Sequence, residues 1–357
     1  MKARIYVCHT FYHALIAIVK ELILPREEQG KATLVLSKMS NDFGKLDERV
    51  RTSGVFEEVL MYDEKADTEF PELEKYRKDH GNIVINMWNR MIFTKKFGKL
   101  LEPDIPVDFK QYRDIYVFCD SDPIGYYLSY KKIYYHALED GLDTLKYCDH
   151  ARFSNRGHFQ IKAFMAKHNW IFIQEGYGKY CIDMEVNDCS CCPHPLPNYK
   201  EVNRNALYAQ LTKEDRALLV SLFIENAEEL KKDLAKAPKD KPKYLVLTEP
   251  LCEPEVRKRL FQDVVQEYCQ NAVPIIKPHP RDCVDYKKLF PNEIVIEGKF
   301  PMEILNYIEG VHFEKVISVF TVPGAIQFSG EVIFLGADFL DRYEKPEIHR
   351  ENEWIES

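Results

Sequence analysis

No run of roughly 18 uninterrupted apolar residues occurs in this chain, which argues against a membrane-spanning helix. Basic residues are not in excess: Lys and Arg total 49 against 57 Asp and Glu, a formal net charge of -8. A nucleic-acid binder usually carries a basic balance or a basic stripe, so nucleic acid is not expected as a partner. Small anionic ligands stay in play, because local charge governs them. Internal repeats and low-complexity tracts are lacking, which excludes repeat arrays and compositionally disordered chains. The opening MKARIYVCHTFYHALIAIVKELIL lacks the clean apolar core and the cleavage site of an export signal, since His9, His13, Lys20 and Glu21 interrupt it. The expectation is a chain that starts here and works in the cytoplasm, where its ten cysteines read as thiols. Peripheral contact with the inner face of a cell membrane, and a homodimer, stay open.

What is present is ordinary globular material. The 357 residues are 45% hydrophobic and 13% aromatic, enough for about two domains with sizeable cores. Short β-rich runs alternate with helical patterns: RIYVC (4–8), a helix over 11–24 after Thr10, ATLVLS (32–37), FEEVLMYD (56–63), NIVIN (82–86), DIYVFC (114–119) and KIYYHALEDG (132–141). WIFIQEGYGKYCIDMEV (170–186) reads as two strands around a glycine turn, and a long amphipathic helix is expected over 213–237. The charged, proline-bearing KAPKDKPK (236–243) reads as a linker. The rhythm then restarts with YLVLTEP (244–250), a helix over 255–267, VPIIKPHP (273–280), EIVIEG (293–298), a helix over 301–308, KVISVF (315–320) and EVIFLG (331–336). The pattern predicts an α/β protein of two Rossmann-like domains facing a cleft, residues 1–238 and 239–343, with a tail helix over 344–357.

Ligands of parallel α/β domains bind at the carboxyl ends of strands, so the residues after each strand are the candidates. Lys277, Pro278, His279, Pro280 and Arg281 place up to three cations on a proline-stiffened loop, a costly cluster unless an anion such as phosphate neutralises it. Ser318, Thr321 and Gly324 follow another strand, where hydroxyls and backbone N–H groups suit an anion or a simple N-cap. Glu303 fits either a helix cap or a ribose contact. Thr248 and Glu249 open the second domain's first loop. In the first domain Glu139-Asp140-Gly141 leaves a carboxylate at a strand end, a place for a general base or a solvated turn.

Two other features compete. Asp120-Ser121-Asp122 matches the D-x-D of metal-dependent sugar-nucleotide transferases, but Asp122 before Pro123 also reads as an N-cap. Cys189, Cys191 and Cys192 with nearby Cys181 allow a zinc-stabilised glycan- or protein-binding module, although a second ligand pair is not evident.

The set EDG, then KPHP, then a hydroxyl-bearing strand-to-helix turn resembles the bacterial sialyltransferases, which share an acidic D/E-D/E-G motif, an HP motif and a Ser-Ser/Thr motif. Together with IYVCHTFYHALIA, FPNEIVIEGKFPMEIL and NYIEGVHFEKVISVFTVPGAI, it is similar to glycosyltransferase family 52, the lipooligosaccharide sialyltransferase family. The resemblance implies a GT-B arrangement and inverting transfer of sialic acid from CMP-sialic acid to a hydroxyl of a surface glycan, lipooligosaccharide or capsule. It implies no cofactor and no essential metal. Asp140 would be the base, with Glu249 and Glu253 as alternatives. His279 would be the general acid or the phosphate partner. Glu303 would hold the ribose, and Ser318 and Thr321 the phosphate. Thr321 followed by Val322 replaces the paired motif, and some family members are assigned other sugar donors.

Overall fold

The computed structural model describes residues 1–140, 158–192, 195–238, 240–321 and 326–349. The chain forms two compact units, Met1–Leu211 and Thr212–Ser357.

The first unit is built on a seven-stranded sheet in the order β3-β2-β1-β4-β5-β6-β7. Its strands are β1 (Lys2–Cys8), β2 (Ala32–Ser37), β3 (Glu58–Tyr62), β4 (Tyr112–Phe118), β5 (Tyr135–Leu138), β6 (Cys181–Val186) and β7 (Tyr199–Glu201). Every neighbouring pair is parallel. All six residues of β2 are buried, which is why the run is apolar without alternation. The helices are α1 (Phe11–Leu22), α2 (Leu46–Ser53), α3 (Glu74–Arg77), α4 (Ile83–Leu100), α5 (Pro123–Lys131), α6 (Phe159–Lys167) and α7 (Arg204–Ala209). The strand order reverses between β1 and β4, so the crevice expected for a ligand opens where those two strands end.

Two expectations fail in this unit. NIVIN is not a strand. Asn82 caps α4 by accepting the N–H groups of Val84 and Ile85, and the long helix that follows overrides the β-preference of Ile83, Val84 and Ile85. The stretch 170–186 is not a hairpin either. Only Cys181–Val186 is a strand, and it lies parallel between β5 and β7. Glu175 and Gly176 turn the chain before it, at φ of 59° and 84°. The close approach of α5 to the preceding loop depends on Gly125, where a Cβ would collide with the carbonyl oxygen of Asp120.

The second unit carries a five-stranded sheet, all parallel, in the order β10-β9-β8-β11-β12. Its strands are β8 (Lys243–Leu247), β9 (Val273–Lys277), β10 (Ile294–Val295), β11 (Phe313–Ser318) and β12 (Ser329–Phe334). Helices α8 (Lys213–Phe223) and α9 (Ala227–Ala235) precede it, followed by α10 (Pro254–Tyr268), α11 (Tyr286–Leu289), α12 (Gly336–Leu340) and α13 (Pro346–His349). The single helix expected over 213–237 is two, because Ile224 is extended and Asn226 caps a new start by accepting the N–H of Glu229. The compact units divide at Leu211/Thr212 rather than after residue 238: α8 packs on the 3-10 turn Met302–Tyr307, with Arg216 5.9 Å from the Tyr307 ring centre. The linker-like stretch 236–243 therefore lies inside the second unit and leads into β8. The helix expected over 301–308 is that 3-10 turn. Here the order reverses between β8 and β11, the second switch point. Among the described residues no helix is long and apolar enough to cross a membrane.

Candidate active site

Three strands of the second unit end side by side at Leu247, Lys277 and Ser318, and deliver most of the expected donor-site residues together. The buried Thr248 hydroxyl accepts the N–H of His279 at 3.1 Å and meets Asp282 at 3.3 Å. Asp282 anchors the loop. Its side chain, 0% exposed, bonds Arg257 at 2.6 Å, Tyr286 at 2.8 Å and the N–H of Val284 at 3.1 Å. Arg257 also donates to the carbonyls of Leu251 and Cys252. This network ties the KPHP loop to Thr248, to Arg257 of α10 and to Tyr286 of α11.

The three cations expected on that loop are one at the surface. Lys277 is buried, and its Nζ donates at 3.1 Å to the carbonyls of both Pro278 and Phe300. Burial lowers its pKa to about 7 against the pull of Glu303. His279 is driven down to about 4 by burial and by the charges of Arg281 and Lys277. Its Nδ1 accepts the N–H of Arg281 at 3.1 Å, so the neutral ring carries its hydrogen on Nε2 as a donor. Arg281 itself is exposed.

Glu249 occupies the N–H cradle after β11. Its carboxylate accepts from Val319 at 3.2 Å, from Phe320 at 3.0 Å and from Thr321 at 2.8 Å. Burial still raises its pKa, against those donors. Ser318 is buried, and its hydroxyl donates to the Thr321 carbonyl at 2.7 Å. The cradle read from sequence as an anion site is thus filled by the chain's own carboxylate. Glu303 stands in the first turn of Met302–Tyr307, its carboxyl raised by burial and opposed by its own N–H and by Lys277. Glu253 is exposed at the N-cap position of α10. Gly324, with its neighbours 322–325, and Gly141 lie outside the described residues.

In the first unit Asp140 stands two residues beyond β5, its side chain 41% exposed. His13 Nε2 reaches its Oδ1 at 2.7 Å. Beside this pair His9, just after β1, bonds Glu64 at 2.7 Å and stands 3.4 Å from Asp122. Burial pulls the His9 pKa down, but Glu64, Asp122 and Asp140 outweigh it and raise it to about 9. Burial pushes Glu64 up, yet His9, the Ser37 hydroxyl and the N–H of Ile124 hold it below the usual carboxylate range. Asp122 is raised to about 6 by burial, with Glu64 and Asp140 adding and His9 opposing. His9, His13 and Glu64 were missed as site residues. The signal was available only in part, as two histidines four apart straight after the first strand. Asp282, Arg257 and Tyr286 were missed as well, and nothing in their spacing marks them.

The competing features find protein partners. Asp120 accepts the N–H of Glu175 and the Tyr135 hydroxyl, both at 2.8 Å, while Asp122 turns to His9, so the D-x-D carboxylates serve different neighbours. Asp122 is the N-cap residue of α5 with Pro123 at N1, but its side chain makes no cap hydrogen bond. Among the described residues no three His, Cys, Asp or Glu side chains are placed to share a metal, and His194 lies outside them.

A model of glycosyltransferase family 52 matches residues 63–329. The chain belongs to glycosyltransferase family 52. An uncharacterized protein of Haemophilus influenzae is 31% identical over 98 residues, which span 26% of this family 52 chain and 31% of that relative. The fold is similar to that of an alpha/beta-galactoside alpha-2,3-sialyltransferase from Photobacterium phosphoreum, at 12% identity and a TM-score of 0.51, covering 92% of this chain and 90% of that one. It is also similar to the GT-B domain of a Photobacterium damselae sialyltransferase, at 11% identity and a TM-score of 0.51, covering 90% and 86%. These likenesses establish the GT-B class of fold for the two parallel α/β units.

Proposed function

We propose that this family 52 chain is an inverting sialyltransferase that moves sialic acid from CMP-sialic acid to a hydroxyl of a surface glycan, lipooligosaccharide or capsule, without a metal. The observation that carries the reading is that the second unit holds a neutral, Nε2-protonated His279 just after β9 and the first unit holds a positioned, half-exposed Asp140 just after β5. The two Photobacterium neighbours are sialyltransferases, which supports the donor class.

In this reaction the acceptor oxygen bonds to the sialyl anomeric carbon as the bond from that carbon to the CMP phosphate oxygen breaks. The electron pair leaves with CMP, and the acceptor proton passes to Asp140. Negative charge grows on the phosphate, so a fixed donor helps most in the transition state. His279 suits that task as a hydrogen-bond donor: with a pKa of about 4 its charged form is scarce at neutral pH, and an approaching phosphate would raise it. Arg281 supplies the loop's exposed positive charge. Among the three carboxylates considered as base, Glu249 is buried in its N–H cradle and Glu253 sits exposed on a helix cap, so Asp140 is preferred. Glu303 beside Lys277 is offered to the ribose.

The test is turnover: purified protein with CMP-sialic acid and excess EDTA, followed by CMP release with and without glycan acceptors. Acceptor-stimulated CMP release supports the reading. Release that requires a divalent ion, or turnover only with UDP- or GDP-sugars, overturns it.

The reading extends to peripheral contact with an anionic membrane. Ile83, Val84, Ile85 and Trp88 of α4 are exposed, as are Ile161 and Phe164 of α6 and nearby Trp170. Lys95, Lys96 and Lys99 of α4 are exposed as well, with Asp79 bonded to Asn86 at the helix start. Tryptophan emission should shift to the blue with phosphatidylglycerol vesicles; an unmoved spectrum contradicts the contact.

A further inference from the structure

The transfer step described above does not require His13 to touch substrate, yet its ring is fixed from several sides. It is fully buried in the first turn of α1, where the Thr10 hydroxyl accepts its N–H at 3.1 Å. The imidazole stacks on Phe118, the last residue of β4, with ring centres 4.6 Å apart and planes 13° from parallel. Nδ1 accepts the backbone N–H of His9 at 3.1 Å. A nitrogen that accepts an N–H carries no hydrogen of its own, so the ring hydrogen lies on Nε2. That hydrogen points along the 2.7 Å contact to Asp140 Oδ1.

We propose that His13 is the positioning residue for Asp140, a neutral Nε2–H donor that orients the carboxylate toward the acceptor hydroxyl and keeps it ionised. The inference rests on the reading of Asp140 as the base. His13 does not take the proton itself, because its second nitrogen is engaged by the main chain. Other titratable groups act on the pair. His9 follows β1, with Glu64 and Asp122 on either side of it. Cys119 and Asp122 follow β4, Glu139 follows β5, and all three interact with Asp140. These groups are common to the wild type and a His13 variant, so a difference between the two reports the His13 contact.

The experiment follows CMP release from CMP-sialic acid against pH for wild type, His13→Ala, His13→Gln and Asp140→Asn. His13→Ala should lower kcat by about 10- to 100-fold, the loss of one charge-assisted hydrogen bond, while donor KM stays unchanged. Its acid limb should move to higher pH, because a donor to the charged form lowers the carboxyl pKa. His13→Gln, whose amide can donate to the same oxygen, should recover most of the rate and return the limb toward wild type. The imidazole nitrogen spectrum of the wild type should show His13 as the Nε2–H tautomer, a readout independent of turnover that also decides the matter if His13→Ala does not fold. An unmoved acid limb with no rescue by glutamine, or an Nδ1–H tautomer, overturns the proposal. Wild-type turnover by Asp140→Asn would instead overturn Asp140 as base, so the two failures are distinguishable.

Discussion

At the end of β1 a buried histidine is held protonated up to about pH 9, while on the loop after β9 a half-buried histidine is held neutral down to about pH 4. Burial disfavours the charge in both places. The difference lies in the company. His9 has Glu64 at 2.7 Å and Asp122 at 3.4 Å, whereas Arg281 and Lys277 act on His279 more strongly than the opposing Asp282 does. Two other buried cations show the same contrast. Arg4 in the first is buried against Glu21 at 2.8 Å and raised by it, while Lys277 in the second makes its two bonds to carbonyls and falls to about 7. The first unit thus brings its own counter-charges and can keep a carboxylate ionised. In the second unit Arg257 also has its buried partner in Asp282, but Lys277 bonds only carbonyls and the exposed Arg281 adds positive charge on the same loop. A base and a leaving-group site need just these opposite settings.

The contrast can be broken from either side. Asp140→Asn removes the half-exposed carboxylate and should cut transfer by roughly 10²- to 10⁴-fold with unchanged thermal stability; initial rates beside a melting curve decide it. Arg257→Ala strips the cationic partner from fully buried Asp282 and should cost about 3–5 kcal/mol, because the hydroxyls of Tyr286 and Thr248 and the N–H of Val284 carry no charge to offset the carboxylate. Urea unfolding measures that loss, and a change below about 1 kcal/mol would mean the pair does not hold the loop. His279→Ala should lower transfer by roughly 10²-fold while leaving the fold intact, and near-normal transfer would remove His279 from the chemistry.

The smallest effect is one of pH. A histidine raised from 6.5 to about 9 on folding lends stability that is fully present below about 6.5 and is lost as pH rises through about 9. Wild type should therefore lose more stability over that window than His9→Gln does. The difference between the two curves is the quantity to read, because Lys277, lowered on folding, pushes stability the other way as pH rises above about 7. Parallel curves would show that His9 is not held charged.

Much of this was legible in the sequence because strand ends announce themselves. VPIIKPHP and KVISVF are apolar runs that stop at polar residues, and the structure places Lys277 and Ser318 at the ends of adjacent-to-central strands as that pattern implies. Local patterns misled where a cap or a tertiary contact outweighed them. NIVIN looks like a strand until Asn82 is seen to cap a helix of 18 residues. Charge state was not legible at all. The loop Lys277, His279 and Arg281 reads as three cations, and only burial and the two carbonyls around Lys277 show otherwise. Nor was pairing across the sheet: His13 and Asp140 are 127 residues apart, and His9 and Glu64 are 55 apart. No local spacing rule connects such partners.

Whether the loop after β9 takes the CMP half of the donor is read most directly in a thermal-shift comparison of CMP, CDP, UDP and GDP in excess EDTA, on wild type and His279→Ala. A ligand that binds only the native state raises the melting temperature by mass action. Selective stabilisation of the wild type by CMP without any divalent ion is expected, with a smaller shift for His279→Ala. A shift with UDP or GDP alone, one that EDTA abolishes, or one equal in the variant would contradict it.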